Sequence, residues 1–261
     1  MTKTTAGYVP PAYLQELARL VRPLKERSHE LMSIRPGSRL LDVGCGPATD
    51  TRALAALAGR DGRVVGVDQD LHMLRAAGNR AGPADARAAA PAHLCATALR
   101  LPFQNGSFDA VRCERLLQHV SDAGSAVREM SRVTRPGGRI VLIDTDHTTF
   151  SISCDCPDVE WILRNWQCSR LANGYVARRL AYHLGQAGVQ VLDTQVTPLH
   201  TGSLDICRTM IEADLVESEA LARGVVTGAQ LERYRESCRR FADNGVFFAS
   251  INVITCYGVA S

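Results

Sequence analysis

Residues 40–51 read LLDVGCGPATDT, an apolar run that breaks into Gly44-Cys45-Gly46-Pro47 and gives way to an Ala/Leu-rich segment. The run SRLLDVGC (38–45) has the composition of a buried strand. TDTRALAALAG (49–59) has helical spacing, with Leu54 and Leu57 on one face and Gly59 as its stop. A strand that ends in a glycine turn and feeds a helix brings backbone N–H groups to a bound oxygen, and Gly44 and Gly46 let the chain approach a ligand closely. The glycine that a dinucleotide fingerprint needs three residues further on is replaced by Thr49, so full nicotinamide-type spacing is absent.

The same alternation continues outward from this turn. GRVVGVDQD (62–70), AHLCATAL (92–99), FDAVRCERLL (108–117) and RIVLIDTDH (139–147) read as further strands. LHMLRAAGNRAG (71–82) reads as a helix with Met73, Leu74 and Ala77 inward. SAVREMSRVTRPGG (125–138) reads as another, burying Val127, Met130 and Val133 and ended by Pro136-Gly137-Gly138. Apolar strands joined through helices imply a doubly wound α/β fold, with a mostly parallel sheet covered on both faces and ligands at the strands' carboxyl ends. Past residue 147 the pattern loosens. A helix and strand are expected over 175–199, two helices over 203–224 and 227–245, and a closing strand over 246–260. Thr227 and Gln230 stand at capping-box spacing ahead of Leu231, Tyr234, Cys238 and Phe241. The chain divides into an N-terminal helical cap (1–34), a core (35–147), and a lid with the last strands (148–261) in which Phe150, Trp161, Trp166, Tyr175, Phe247 and Phe248 are candidate aromatics.

Composition narrows the function. The chain of 261 residues carries a net charge of +3 without a dense Lys/Arg block, which argues against a nucleic-acid partner. The N-terminal stretch lacks the apolar core of a signal peptide, and no run has the length of a membrane span. Nine cysteines, mostly inside apolar runs, imply reduced, buried thiols in a cytoplasmic protein. Cys154 and Cys156 lack the second Cys/His pair that a structural metal site needs, so no metal is expected.

Asp68 ends the second strand 22 residues beyond Gly46, where a carboxylate accepts from ribose hydroxyls or caps the next helix; the upstream glycine turn favours the ribose. Residues 98–143, ALRLPFQNGSFDAVRCERLLQHVSDAGSAVREMSRVTRPGGRIVLI, carry the most specific signal. With Leu41-Asp42-Val43-Gly44-Cys45-Gly46 and Asp68 come Leu101-Pro102-Phe103, Ser107-Phe108-Asp109, His119-Val120, and Arg132-Val133 leading to Pro136-Gly137-Gly138. In these motifs the chain resembles the class I S-adenosylmethionine-dependent methyltransferases, in particular the small-molecule group that includes the ubiquinone/menaquinone methyltransferases. The resemblance covers about residues 35–147.

That resemblance implies a seven-stranded Rossmann-like sheet, S-adenosyl-L-methionine as cofactor and a small-molecule acceptor, with neither nucleic acid nor membrane as partner and with room for a homodimer. By it, Gly44, Cys45 and Gly46 pass under the methionine part and Asp42 orients the turn. Asp68 binds the ribose with Gln69 beside it, and Met73 packs on the adenine. Thr97 and Ala98 flank the adenine edge, and Glu114 and Arg115 line the sulfonium side. Two positions depart from the family: Ala48 stands for the third glycine, and Thr97 stands where an aspartate is common. For a proton-bearing acceptor, His119, His147 and Glu114 are the local candidates for a base, His147 facing the expected pocket, with Asp144 and Asp146 nearby to orient it, to bind an amine or to stand as solvated loop carboxylates. His119 reads equally as a packing histidine. The alternative keeps the fold and the cofactor in a non-methylating role, regulatory or cyclase-like.

Overall fold

The computed structural model describes residues 11–79 and 89–261. In chain order it contains α1 (Pro11–Leu31), β1 (Arg39–Val43), α2 (Thr51–Ala58), β2 (Arg63–Asp68), α3 (Leu71–Asn79), β3 (Ala92–Cys95) and β4 (Phe108–Glu114). Then come α4 (Ala123–Val133), β5 (Thr134–Ile152), α5 (Pro157–Ser169), α6 (Leu180–Gln186), β6 (Val189–Thr201), α7 (Leu204–Met210), α8 (Ala213–Ala222), α9 (Gly228–Asp243) and β7 (Ala249–Ala260). One seven-stranded sheet runs β3-β2-β1-β4-β5-β7-β6. The first five of these pair in parallel, and β7 lies antiparallel between β5 and β6.

Alternation along the central strands builds two cores. Leu40, Val64, Ala110, Val141 and Ile143 turn to the face covered by α1 and α2, while Leu41, Val43, Val111, Cys113, Ile140 and Leu142 turn to α4 and α6. A third cluster, with Val159, Leu163, Leu231, Tyr234 and Phe247, joins α5 and α9 to the end of β7. Among the described residues no helix is long and apolar enough to cross a membrane.

Several elements differ from their reading in the sequence. Leu54, Ala55 and Ala58 are the buried face of α2 and Leu57 points outward. Met73 is 40% exposed rather than inward, because the short α3 lies beside the thin outer strand β3 at the sheet's edge; the side chain of Ala77, residues 80–88 and residues 1–10 of the expected cap lie outside the described residues. Helix α4 stops at Val133, where the Thr134 hydroxyl donates to the Met130 carbonyl (2.7 Å), so Pro136-Gly137-Gly138 already belongs to β5. The segment from Phe150 to Tyr175 holds α5, whose Pro157 start and acidic first turn (Asp158, Glu160) are legible start signals. The single helix expected over 203–224 is two, because Glu212 takes a left-handed φ of 50° and breaks it. The capping box on α9 forms as read.

One irregularity positions the site. The β5–β7 ladder pairs Asp146 with Asn252 and then Ser151 with Ser250, so His147, Thr148, Thr149 and Phe150 bulge out of register. Bulges re-aim side chains. This one lies where β5 has outrun β4, beside α5.

Candidate functional site

The turn after β1 folds back over β2, with Gly44 N and Cys45 N both donating to the Val67 carbonyl (2.7 and 3.0 Å). Gly44 has φ 78°, and a Cβ there would lie 2.9 Å from the Cβ of Leu116, so the glycine is required twice over. Gly46 has φ 53° with nothing within 4 Å of its would-be Cβ, so this turn presents an open backbone face. Ala48 takes the left-handed conformation itself (φ 58°) and is buried, which explains how a small residue stands in for the third glycine. Asp68 ties the turn to β2: Oδ2 accepts from Gly46 N (2.8 Å) and Oδ1 from Asp70 N (2.9 Å). Gln69 and Thr97 are exposed beside it and Ala98 is buried; the Thr97 hydroxyl accepts from Leu99 N (3.3 Å).

Beneath the turn lies a buried ionic cluster. Arg112, 1% exposed on β4, donates to Asp42 Oδ1 (3.2 Å), to Glu114 and to the Ser28 hydroxyl (3.1 Å), and lies 3.4 Å from Asp50 Oδ2. Lys25 of α1 donates to the same Asp50 oxygen (2.6 Å), and His29 of α1 packs nearby with its Nε2 buried and unpartnered. The guanidinium thus joins Asp42 of β1 to Asp50 at the start of α2, and Lys25 of α1 reaches the same Asp50. Arg115 follows β4 with an exposed side chain, a left-handed φ of 51°, and Nε 3.4 Å from Glu114.

The two histidines meet through a residue absent from the sequence reading. His147 Nε2 lies 2.8 Å from Gln118 Oε1, and Gln118 Nε2 lies 3.1 Å from His119 Nε2. The nearby carboxylates are engaged elsewhere. Asp144 accepts from Gln118 N (3.1 Å) and Thr145 N (2.9 Å), while Asp146 accepts from Arg178 Nε (2.7 Å) and from Thr148. Burial pushes His147 down to about 4, with His119 adding to the shift, so the ring is neutral at neutral pH.

His147 and Phe150 line a small cavity of about 30 Å³ between the bulge and helices α5, α8 and α9. Leu163, Ile211, Ala213, Val216 and Ile251 give it apolar walls. Its charged groups are already paired, Glu217 with Arg208 (2.9 Å) and Arg235 (2.7 Å), and Glu160 with Arg164 (3.9 Å). Of the candidate aromatics only Phe150 lines it; Phe247 is core, Trp166 half-buried, and Trp161, Tyr175 and Phe248 are exposed. Tyr234, read as a core position of α9, is the second aromatic in the wall. Arg112 was discoverable as a charge interrupting an otherwise apolar strand, which burial obliges to be paired. Gln118 carried no such signal.

Asp144 provides a pH prediction. Burial raises its carboxyl to about 7, against the backbone N–H groups of Thr145, Gln118 and Leu117 that favour the ionised form. Between about pH 4 and 7 the native carboxyl keeps a proton that the unfolded chain has released, so its contribution to stability falls as pH rises through that window and is level above it. Urea denaturation of wild type and Asp144→Asn should therefore show the wild type losing stability relative to the variant from pH 4.5 to 7. A constant difference would contradict the assignment.

The comparisons with known proteins agree with this geometry. The family model described as a methyltransferase domain matches residues 41–142. An uncharacterised 37.1 kDa protein of transposon Tn4556 from Streptomyces fradiae is 36% identical over 187 residues, covering 69% of this chain and 52% of that protein. The demethylmenaquinone methyltransferase of Bacillus mycoides is 33% identical over 125 residues, 48% of this chain and 52% of that one. The chain thus spans about half the length of the curated relatives it matches. Among solved structures, geranyl diphosphate C-methyltransferase from Streptomyces coelicolor A3(2) superposes with a TM-score of 0.60 at 18% identity, over 99% of this chain and 88% of that one. The [4+2]-cyclase SpnF gives 0.56 at 18% identity, over 99% and 100%. These two likenesses show the fold. With the ordered motifs, the strand order and the domain match in agreement, residues 41–142 match a methyltransferase domain, and the chain is similar over that stretch to the class I S-adenosylmethionine-dependent methyltransferases.

Proposed function

We propose that the protein transfers a methyl group from S-adenosylmethionine to a small-molecule acceptor held in the pocket beside His147. The observation that carries this reading is a continuous path. Leu116 packs on Gly44, Gln118 two residues later bonds His147, and His147 lines the pocket. The residues suit the cofactor: the turn is open at Gly46, and each Asp68 oxygen accepts one N–H and keeps a lone pair for a ribose hydroxyl. Gln69, Met73, Thr97 and Ala98 form the adenine side, Asp42, Gly44, Cys45 and Gly46 the methionine side, and Glu114 and Arg115 the sulfonium side. When bound, the cofactor supplies an electrophilic methyl on sulfur. The chain aligns the acceptor, excludes water and, through His147, accepts the acceptor's proton. The small, apolar-walled pocket suits a small molecule better than a nucleic acid, and nine free cysteines, seven of them buried, suit a reducing cytoplasm.

Radiolabelled-methyl transfer onto a metabolite extract tests the reading: label is expected in a small molecule. Cofactor binding without any transfer would favour the non-methylating role. Asp68→Ala removes a charged acceptor from two hydroxyls, a loss of roughly 1.5–3 kcal/mol, or about tenfold to a hundredfold in affinity. Calorimetric titration with S-adenosylhomocysteine checks it, and a folded variant that binds as tightly as wild type would show that Asp68 serves only the turn.

A further inference from the structure

We propose that Gln118 is a positioning residue that sets the tautomer of His147, making Nδ1 the nitrogen offered to the acceptor's proton. The proposal rests on the reading of His147 as the base and adds which nitrogen acts and what holds it.

Gln118 is held in place before its side chain is considered. It lies in the single helical turn Leu117–His119 after β4, is 7% exposed, and its backbone N–H is bound by the buried carboxyl of Asp144. Its carboxamide has three neighbours: the Arg115 carbonyl at 3.5 Å and His119 Nε2 at 3.1 Å on the nitrogen end, and His147 Nε2 at 2.8 Å on the oxygen end. An imidazole nitrogen can donate or accept, so the two histidines alone leave the amide free to face either way. The Arg115 carbonyl can only accept. A flipped amide would set two carbonyl oxygens against each other, so the NH₂ end faces Arg115 and the oxygen faces His147. His147 Nε2 must then carry its hydrogen, and Nδ1 is left with the lone pair. The left-handed backbone of Arg115, whose N–H donates to the Ile143 carbonyl (2.8 Å), holds the deciding carbonyl in place.

The choice of an amide over a carboxylate has a chemical consequence. A carboxylate at this position would fix the same tautomer and also stabilise the imidazolium. Glutamine fixes the tautomer without adding charge. The ring therefore stays neutral beside a cationic methyl donor, which suits a group that must accept a proton only as transfer proceeds.

Long-range ¹H–¹⁵N correlation spectra of the full chain, with the His147 signals assigned by their loss in His147→Ala, read the tautomer directly and need no acceptor. The wild type should show one form, protonated on Nε2 with an imine-type Nδ1. Gln118→Leu should release it to a mixture of tautomers, and Gln118→Glu, which keeps an acceptor oxygen, should restore the Nε2–H form. A wild-type His147 protonated on Nδ1 overturns the proposal, whether or not the leucine variant folds. So does a folded Gln118→Leu protein that keeps a single Nε2–H form. Because the readout is spectroscopic, failure of methyl transfer would show separately in the labelling assay.

Discussion

Replacing Arg112 with leucine should lower the unfolding free energy by about 3–5 kcal/mol, the usual cost of removing one partner from a buried ionic group. Without the guanidinium, Asp42, with its side chain 4% exposed, loses its ion pair, while Glu114, 8% exposed, would keep Arg115 (3.4 Å). Asp50 would retain Lys25. Burial already raises Asp42 to about 6 even with Arg112 opposing it, so of the three carboxylates Asp42 depends most on that guanidinium. Urea denaturation measures the loss, and Asp42→Asn in the Arg112→Leu background should recover part of it by removing an unpaired charge. A loss under about 1 kcal/mol, the range of exposed pairs, would show that water reaches the cluster.

His147→Ala should lower turnover by about 10²–10⁴-fold on an acceptor that must lose a proton, the range typical of a positioned general base. Affinity for S-adenosylhomocysteine should be nearly unchanged, because the ring's bonded partner is Gln118 and its open side faces the acceptor pocket. His119→Ala should cost less, since His119 is exposed and hydrogen-bonds the Gln118 amide rather than His147. Single-turnover rates with saturating cofactor separate the two variants. Equal and small losses would mean that alignment alone carries the reaction.

The cofactor half was legible because its physics is local. A glycine turn demanded by backbone conformation, an acid at a strand end and apolar strand runs each leave a mark in a few consecutive residues. The segment after residue 147 was less legible for the opposite reason. The break at Glu212 is a left-handed residue type that gives no warning, and the bulge over His147–Phe150 exists only because β5 and β7 lose register across 99 residues of chain. His147 stands out in the sequence by its place after the fifth strand, yet Asp144 and Asp146, which could have oriented it, are occupied by backbone amides and Arg178. Gln118 took that place because a short helical turn after β4 swings it under the bulge. Tyr234 shows the same limit: helical periodicity marks it as buried and cannot say that what it is buried against is a pocket.

The central claim is that the open turn between Gly44 and Asp68 holds an adenosyl cofactor of the methyl-donor type. Calorimetric titration of the full chain with S-adenosylhomocysteine and, separately, with NADH tests it most directly. Saturable binding of S-adenosylhomocysteine that raises the melting temperature, is weakened by Asp68→Ala and has no counterpart with NADH is the predicted result. Tight NADH binding with none for S-adenosylhomocysteine would contradict the account.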